Sequence, residues 1–222
     1  MWTRDQIELK ARTLLSEIEK SAASIWPNTQ PQRLFMCDPE AACKVLGLNY
    51  FADQHLGQYG TATAGLLDRS RKAILISSKQ TFEEMRFTAA HELGHWILHP
   101  DQVMFRDRSP STYRNESRPA VEREADQFAA TFLMPPKLVL AAFKARFPVR
   151  EPMINSNTIC FNLSMRNADY LQGLPPGSIE FARAVANADA FNGVRFDKSL
   201  ARLFNVSVSA MAIRLQELGL VN

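Results

Sequence analysis

From Thr81 to Pro100 the chain reads TFEEMRFTAAHELGHWILHP, and both ends of a helix are written into it. Thr81 followed by Glu84 is a capping box, in which each side chain takes up the other residue's free backbone N–H. Pro100 cannot continue a helix, because its ring removes a donor and collides with the preceding turn. The pattern predicts a helix over about 81–99. Of the four histidines in the chain, His91, His95 and His99 all fall inside it.

Residues four apart on a helix share a face, so His91 and His95 can close on one metal ion about 2 Å from each nitrogen. Glu92 is turned by about 100 degrees from His91. It is badly placed to ligate and well placed to reach a water on the metal, the general-base role of the glutamate in H-E-x-x-H. Gly94 carries no side chain, so a neighbouring element can approach closely. His99 stands roughly 12 Å along the axis from His91. It reads as a helix-end residue favoured by the dipole and not as a ligand. His55 is isolated and reads as structural or exposed.

A catalytic zinc keeps three protein ligands and one open position, so a third donor must come from elsewhere. The segment AVEREADQFAATFLMP supplies it, on a second predicted helix from about Pro119 to Leu133. Val121, Ala125, Phe128 and Phe132 make an apolar stripe, with Glu122 and Asp126 beside it. Glu122 is the expected third ligand. Asp126, one turn on, is expected to accept a hydrogen bond from a zinc-bound imidazole and fix its tautomer. Ala125, Ala129 and Ala130 keep the surface slim enough to pack on the H-E-x-x-H helix. Glu124 is the competitor for the ligand position. It lies about 200 degrees from Glu122, so one straight helix cannot aim both at one ion, and only Glu122 has an acid one turn on. Tyr113 and Arg114, in a polar stretch read as a loop over 101–118, are candidate oxyanion stabilisers.

Elsewhere, a helix is predicted over 4–24, ending before Pro27, and a short one in DPEAACKVLG with Asp38 at its N-cap. LNYFA is a candidate strand, and TATAGLLD and KAILISS form a hairpin around RSR. Beyond MPP, helices are predicted over 137–147 and 178–190, with a helix–turn–helix pair over 197–220. Residues 159–163 read either as extended chain or as the start of a helix. The expected organisation is α+β: a domain over 1–140 with a small β-sheet and the H-E-x-x-H helix, then a mostly helical domain over 141–222.

Composition sets outer limits. At 222 residues and 46% hydrophobic, the chain can bury a core without disulfides. The three cysteines form no CxxC pair, which fits a reducing compartment. The N-terminal stretch carries acids without an uninterrupted apolar core, unlike a secretory signal, and no stretch is apolar enough for a membrane span. A cytoplasmic protein with no membrane partner is expected. The net charge of +3 is too small to announce nucleic-acid binding.

Three stretches, RFTAAHELGHWILH, EREADQFAATFLMP and LARLFNVSVSAMAIRLQELGL, resemble the ImmA/IrrE family of zinc metallopeptidases. The resemblance covers about 40–136 well and 197–221 recognisably, and residues 148–190 match nothing nameable. It implies a zincin-like peptidase domain followed by a small domain resembling a helix-turn-helix. It also implies Zn2+ held by His91, His95 and Glu122, with Glu92 as the base. Relatives often have Asn where this chain has Asp126, and either side chain can hydrogen-bond an imidazole. The implied substrate is an XRE-type helix-turn-helix repressor encoded nearby. Its cleavage would derepress stress, mobile-element or antiphage-defence genes, with single-stranded or duplex DNA as a candidate activating signal. The alternative is a DNA-binding or DNA-sensing regulator in which the peptidase site is secondary. Against it, the first turns of the last helix offer only Ser207 and Ser209 as polar groups, and Arg214 comes late for base reading.

Overall fold

The structure, a computed structural model, describes residues 1–29, 31–56, 63–101, 104–108, 118–150 and 152–222. The chain divides into two compact units, Met1–Leu133 and Met134–Asn222. Together they make a mixed α+β protein with a small sheet and many helices.

The first unit opens with α1 (Arg4–Lys20), capped by Thr3 in a capping box with Gln6. Its buried face is Ile7, Ala11, Leu14 and Ile18, at helical spacing. The helix expected over 4–24 breaks at Ser21, before the four-residue α2 (Ala22–Ile25). The apolar stripe explains this: α2 buries no residue, so nothing holds the helix straight beyond Ile18. In α3 (Pro39–Leu46) the Asp38 side chain accepts from the Glu40 N–H, and Gly47 ends the helix at φ 66.

Four strands follow: β1 (Asn49–Gln54), β2 (Thr63–Asp68), β3 (Ala73–Ser77) and β4 (Met104–Arg108). The sheet order is β1-β3-β2-β4. β1 runs parallel to β3, Asn49 opposite Ala73. β2 is antiparallel to β3, Leu66 opposite Leu75. On its other edge β2 pairs antiparallel with β4, Leu67 opposite Phe105. Over 104–108 this last strand corrects part of the loop expected over 101–118. An edge strand is held by backbone hydrogen bonds to its single neighbour and needs no apolar alternation, so its polar sequence hid it.

Against the sheet lies α4 (Phe82–Leu98), packed on β2 and β3. Both capping-box bonds between Thr81 and Glu84 are made. α5 (Ala120–Leu133) packs between α4 and α1. It buries Ala125, Phe128, Ala129, Phe132 and Leu133.

The second unit contains α6 (Pro136–Arg146), α7 (Asn157–Leu163), α8 (Ala168–Gln172), α9 (Ile179–Asn187), α10 (Leu200–Phe204) and α11 (Val208–Glu217). Residues 159–163 are helical, within α7. A two-stranded hairpin of β5 (Ala190–Phe191) and β6 (Val194–Arg195) turns on Asn192 and Gly193, both at positive φ. The Asn-Gly pair is the signal for such a turn. Phe143, Phe147, Phe181 and Leu215 fill this unit's core. Arg214 joins them at 2% exposed. Its Nε donates to the Met134 carbonyl at 3.1 Å and its Nη1 to Glu217 at 2.9 Å. Among the described residues no single helix is long and apolar enough to cross a membrane.

Candidate metal centre

Close packing of α4 and α5 builds the site. A methyl group added to Gly94 would stand 3.0 Å from the Cα of Ala125, 3.1 Å from its carbonyl oxygen and 3.2 Å from the Cβ of Phe128. Only a residue without a side chain permits this approach. It sets Glu122 of α5 against the two histidines of α4. His91 Nε2 and His95 Nε2 are 2.9 Å apart. Glu122 Oε2 lies 3.2 Å from His91 Nε2, and Glu122 Oε1 lies 3.5 Å from His95 Nε2.

Donors around a tetrahedral zinc, each bonded at about 2 Å, stand about 3.3 Å apart. The three observed separations bracket that value. Two imidazoles and one carboxylate are also a donor set of the kind found in catalytic zinc sites, with a fourth position left open. The residues present therefore fit the ion. His91 and His95 are each only 1% exposed. Burial, with neighbouring His91 adding to it and Glu122 opposing, pushes the His95 pKa down to about 4. Burial alone would raise the Glu122 pKa, but its close contacts with His91 and His95 outweigh it and hold the carboxyl well below its ordinary range. At neutral pH the pocket thus presents a neutral His95 imidazole and an ionised carboxylate, the forms a metal requires.

Both imidazoles are held at the nitrogen that faces away from Glu122. His91 Nδ1 donates to Asp126 Oδ1 at 2.9 Å, and Arg118 in turn donates to Asp126 Oδ2. A carboxylate only accepts, so His91 carries its hydrogen on Nδ1 and keeps Nε2 bare. His95 Nδ1 lies 3.0 Å from His99 Nδ1. His99 Nε2 is 2.9 Å from Glu124 Oε2. Glu124 Oε1 accepts from the backbone N–H of Trp2 at 2.8 Å, and the Trp2 indole donates to the Leu98 carbonyl at 2.9 Å. Glu124 therefore stands apart from the ligand cluster, engaged with His99.

Glu92 is fully buried and points at β2. A methyl group on Gly65 would fall 2.8 Å from Glu92 Oε1 and 2.5 Å from Thr88 Cγ2. The strand is bare where the glutamate lies on it. Thr88 donates to Gln80, which donates to the Ala64 carbonyl at 2.8 Å, so the same stretch of β2 is tied to α4 by side chains. At the other end of α4, Arg69 Nη2 donates to the carbonyls of His95, Trp96 and His99 at 2.7, 3.1 and 2.9 Å. Its guanidinium also stacks over Trp96, 4.7 Å from the ring centre.

Sequence reasoning overlooked Gly65, Arg69 and Arg118, and gave His99 and Glu124 other tasks. Arg69 lay in RSR, read only as a turn. For His99 the informative spacing is the four residues from His95, not the eight from His91. Tyr113 and Arg114 lie outside the described residues. His55 is exposed, with Nδ1 3.1 Å from Ser78 Oγ.

Residues 51–159 match the family model Peptidase_M78, described as the IrrE N-terminal-like domain. The match takes in α4 and α5, and so every residue of the cluster. Comparison with curated proteins finds no match.

Proposed function

The chain belongs to the ImmA/IrrE family of metallopeptidases, and from that premise we propose that it is a zinc-dependent endopeptidase that cleaves an XRE-type repressor. The observation that carries the zinc reading is the His91–His95–Glu122 cluster, with ligand atoms all within 4.8 Å of one another. Glu92, next to the first ligand and fully buried, supports the hydrolytic reading. The repressor as substrate rests on the resemblance of the motifs to relatives with that activity.

A zinc ion held by His91, His95 and Glu122 would supply a Lewis acid and bring the pKa of a bound water toward neutral. His91 and His95 serve as neutral donors, each held by its Nδ1. Glu92 accepts a proton from the attacking water and returns it to the departing amine. Its burial against β2 keeps bulk water from competing for that proton.

The test is co-expression with an XRE-type repressor encoded beside this chain. A defined cleavage product should form, and Glu92→Gln should reduce it by about 10²–10⁴-fold. Cleavage by Glu92→Gln at the wild-type rate would end the assignment. The DNA-reading alternative has less support. Arg214 is spent inside the second unit, and the Ser207 hydroxyl caps α11 by accepting from the Ala210 N–H at 3.1 Å. Salt-sensitive binding of labelled DNA would revive it.

A further inference from the structure

We propose that His99 and Glu124 are positioning residues for the metal ligand His95, forming a buried relay that fixes which of its nitrogens is bare. The inference rests on the zinc reading of the cluster and adds two residues to it.

The argument runs inward from the carboxylate. Glu124 Oε2 can only accept, so the hydrogen shared with His99 at 2.9 Å sits on His99 Nε2. A neutral imidazole carries one ring hydrogen, which leaves His99 Nδ1 as an acceptor. Of two nitrogens facing each other at 3.0 Å, one must donate. The donor is therefore His95 Nδ1, and His95 Nε2 is left bare, facing His91 and Glu122. The order Glu124, His99, His95 thus selects the tautomer that would ligate through Nε2; the Nε2 atoms of His91 and His95, 2.9 Å apart and both without hydrogen, then share no hydrogen bond and both present lone pairs to the ion proposed at the cluster.

The relay is also rigid. His95 and His99 share a helix face four residues apart, with ring centres 5.2 Å apart. Both are buried, and so is Glu124. The second carboxylate oxygen is occupied by the Trp2 N–H. His91 is served differently, by Asp126 across the helix pair. Each histidine of the cluster therefore has its own support, and that of His95 is an imidazole backed by a carboxylate.

The test uses the full chain, with Zn2+ alone as the probe in competition with a chromophoric chelator. His99→Leu, which keeps bulk and removes the acceptor, should weaken Zn2+ binding by about 10–100-fold. His99→Gln should stay within a few-fold of wild type, because its amide oxygen accepts from His95 and its NH2 donates to Glu124. Long-range 1H–15N spectra of the metal-free protein should show His95 with its hydrogen on Nδ1. Wild-type affinity in a folded His99→Leu variant, equal weakening in both variants, or a hydrogen on His95 Nε2 would each overturn the relay. Should His99→Leu not fold, Glu124→Ala takes its place with the same expectation and the same refutation. If the wild-type chain itself binds no Zn2+, the metallopeptidase reading falls and the relay with it. Tight wild-type binding untouched by His99→Leu removes the relay alone.

Discussion

Gly94 of α4 and Ala125 of α5 meet backbone to backbone, closer than any side chain at position 94 would allow. The contact lies one residue from His95 and three from Glu122, so the spacing of the two helices at this point is the spacing of the ligands. Gly94→Ala should push the helices apart by a few tenths of an ångström. Alanine is the better helix former by about 1 kcal/mol, yet overpacking costs about 1–3 kcal/mol. A net loss of stability in urea unfolding is expected, together with weaker Zn2+ binding. A variant as stable as wild type with unchanged Zn2+ affinity would show that the contact does not set the site.

Gly65 offers a separate handle, because it lies against Glu92, the proposed base. Gly65→Ala places a methyl group where Glu92 Oε1 and Thr88 Cγ2 now lie. The carboxylate is the end of a flexible side chain and will move. A misplacement of about 1 Å can cost on the order of 10²-fold in rate. The expected result is a fall in kcat of about 10–100-fold with Zn2+ content unchanged. Loss of the metal instead would mean that the strand carries the ligand helix itself.

Arg69 finishes α4 by taking up three of its terminal carbonyls with one guanidinium nitrogen. Hydrogen bonds from a charged donor contribute about 1.5–3 kcal/mol. Arg69→Ala should destabilise the first unit by roughly that amount. Arg69→Lys should recover only part of it, since an ammonium lacks the flat face that lies over Trp96. Chemical denaturation of the three proteins decides the matter. A lysine variant equal to wild type would reduce Arg69 to a point charge.

The pKa of His95 fixes the sign of an acid effect on the metal-free protein. Folded, it titrates near 4, against an ordinary 6.5 in the unfolded chain. Between those values the unfolded chain holds a proton that the folded one refuses, so stability rises with pH. The stability is complete above about 6.5 and drains away as pH falls toward 4. Glu122, also lowered by folding, adds a loss of the same sign below its ordinary 4.5. Urea midpoints of the metal-free protein should drop between pH 7.5 and 5, and the drop should shrink in His95→Asn. Identical slopes in the two proteins would refute the assignment.

The parts of the site legible in the sequence are those governed by local periodicity. His91, Glu92, His95 and Gly94 are set by helix geometry, and the helix is announced by its capping box. Glu122 and Asp126 follow from the same arithmetic on a second helix. What stayed hidden depends on tertiary neighbours. Nothing around Arg69 says that the hairpin turn meets the end of α4, and nothing near Gly65 says that a glutamate lies on it. β4 escaped because main-chain pairing leaves no trace in residue type. The β5–β6 hairpin is different: Asn192 and Gly193 are a readable turn signal. So is the spacing of His95 and His99, four residues apart on one helix face, which signals support as readily as ligation.

Glu122 stands on a different helix from His91 and His95, and this has a mechanical consequence. An ion held by all three would be a cross-link, closing the stretch of chain between His95 and Glu122 much as a disulfide closes a loop. Its binding free energy would then be part of the folding free energy of the first unit. The metal would rivet α5 to α4, so that withdrawing it would loosen the clamp that brings the three side chains together.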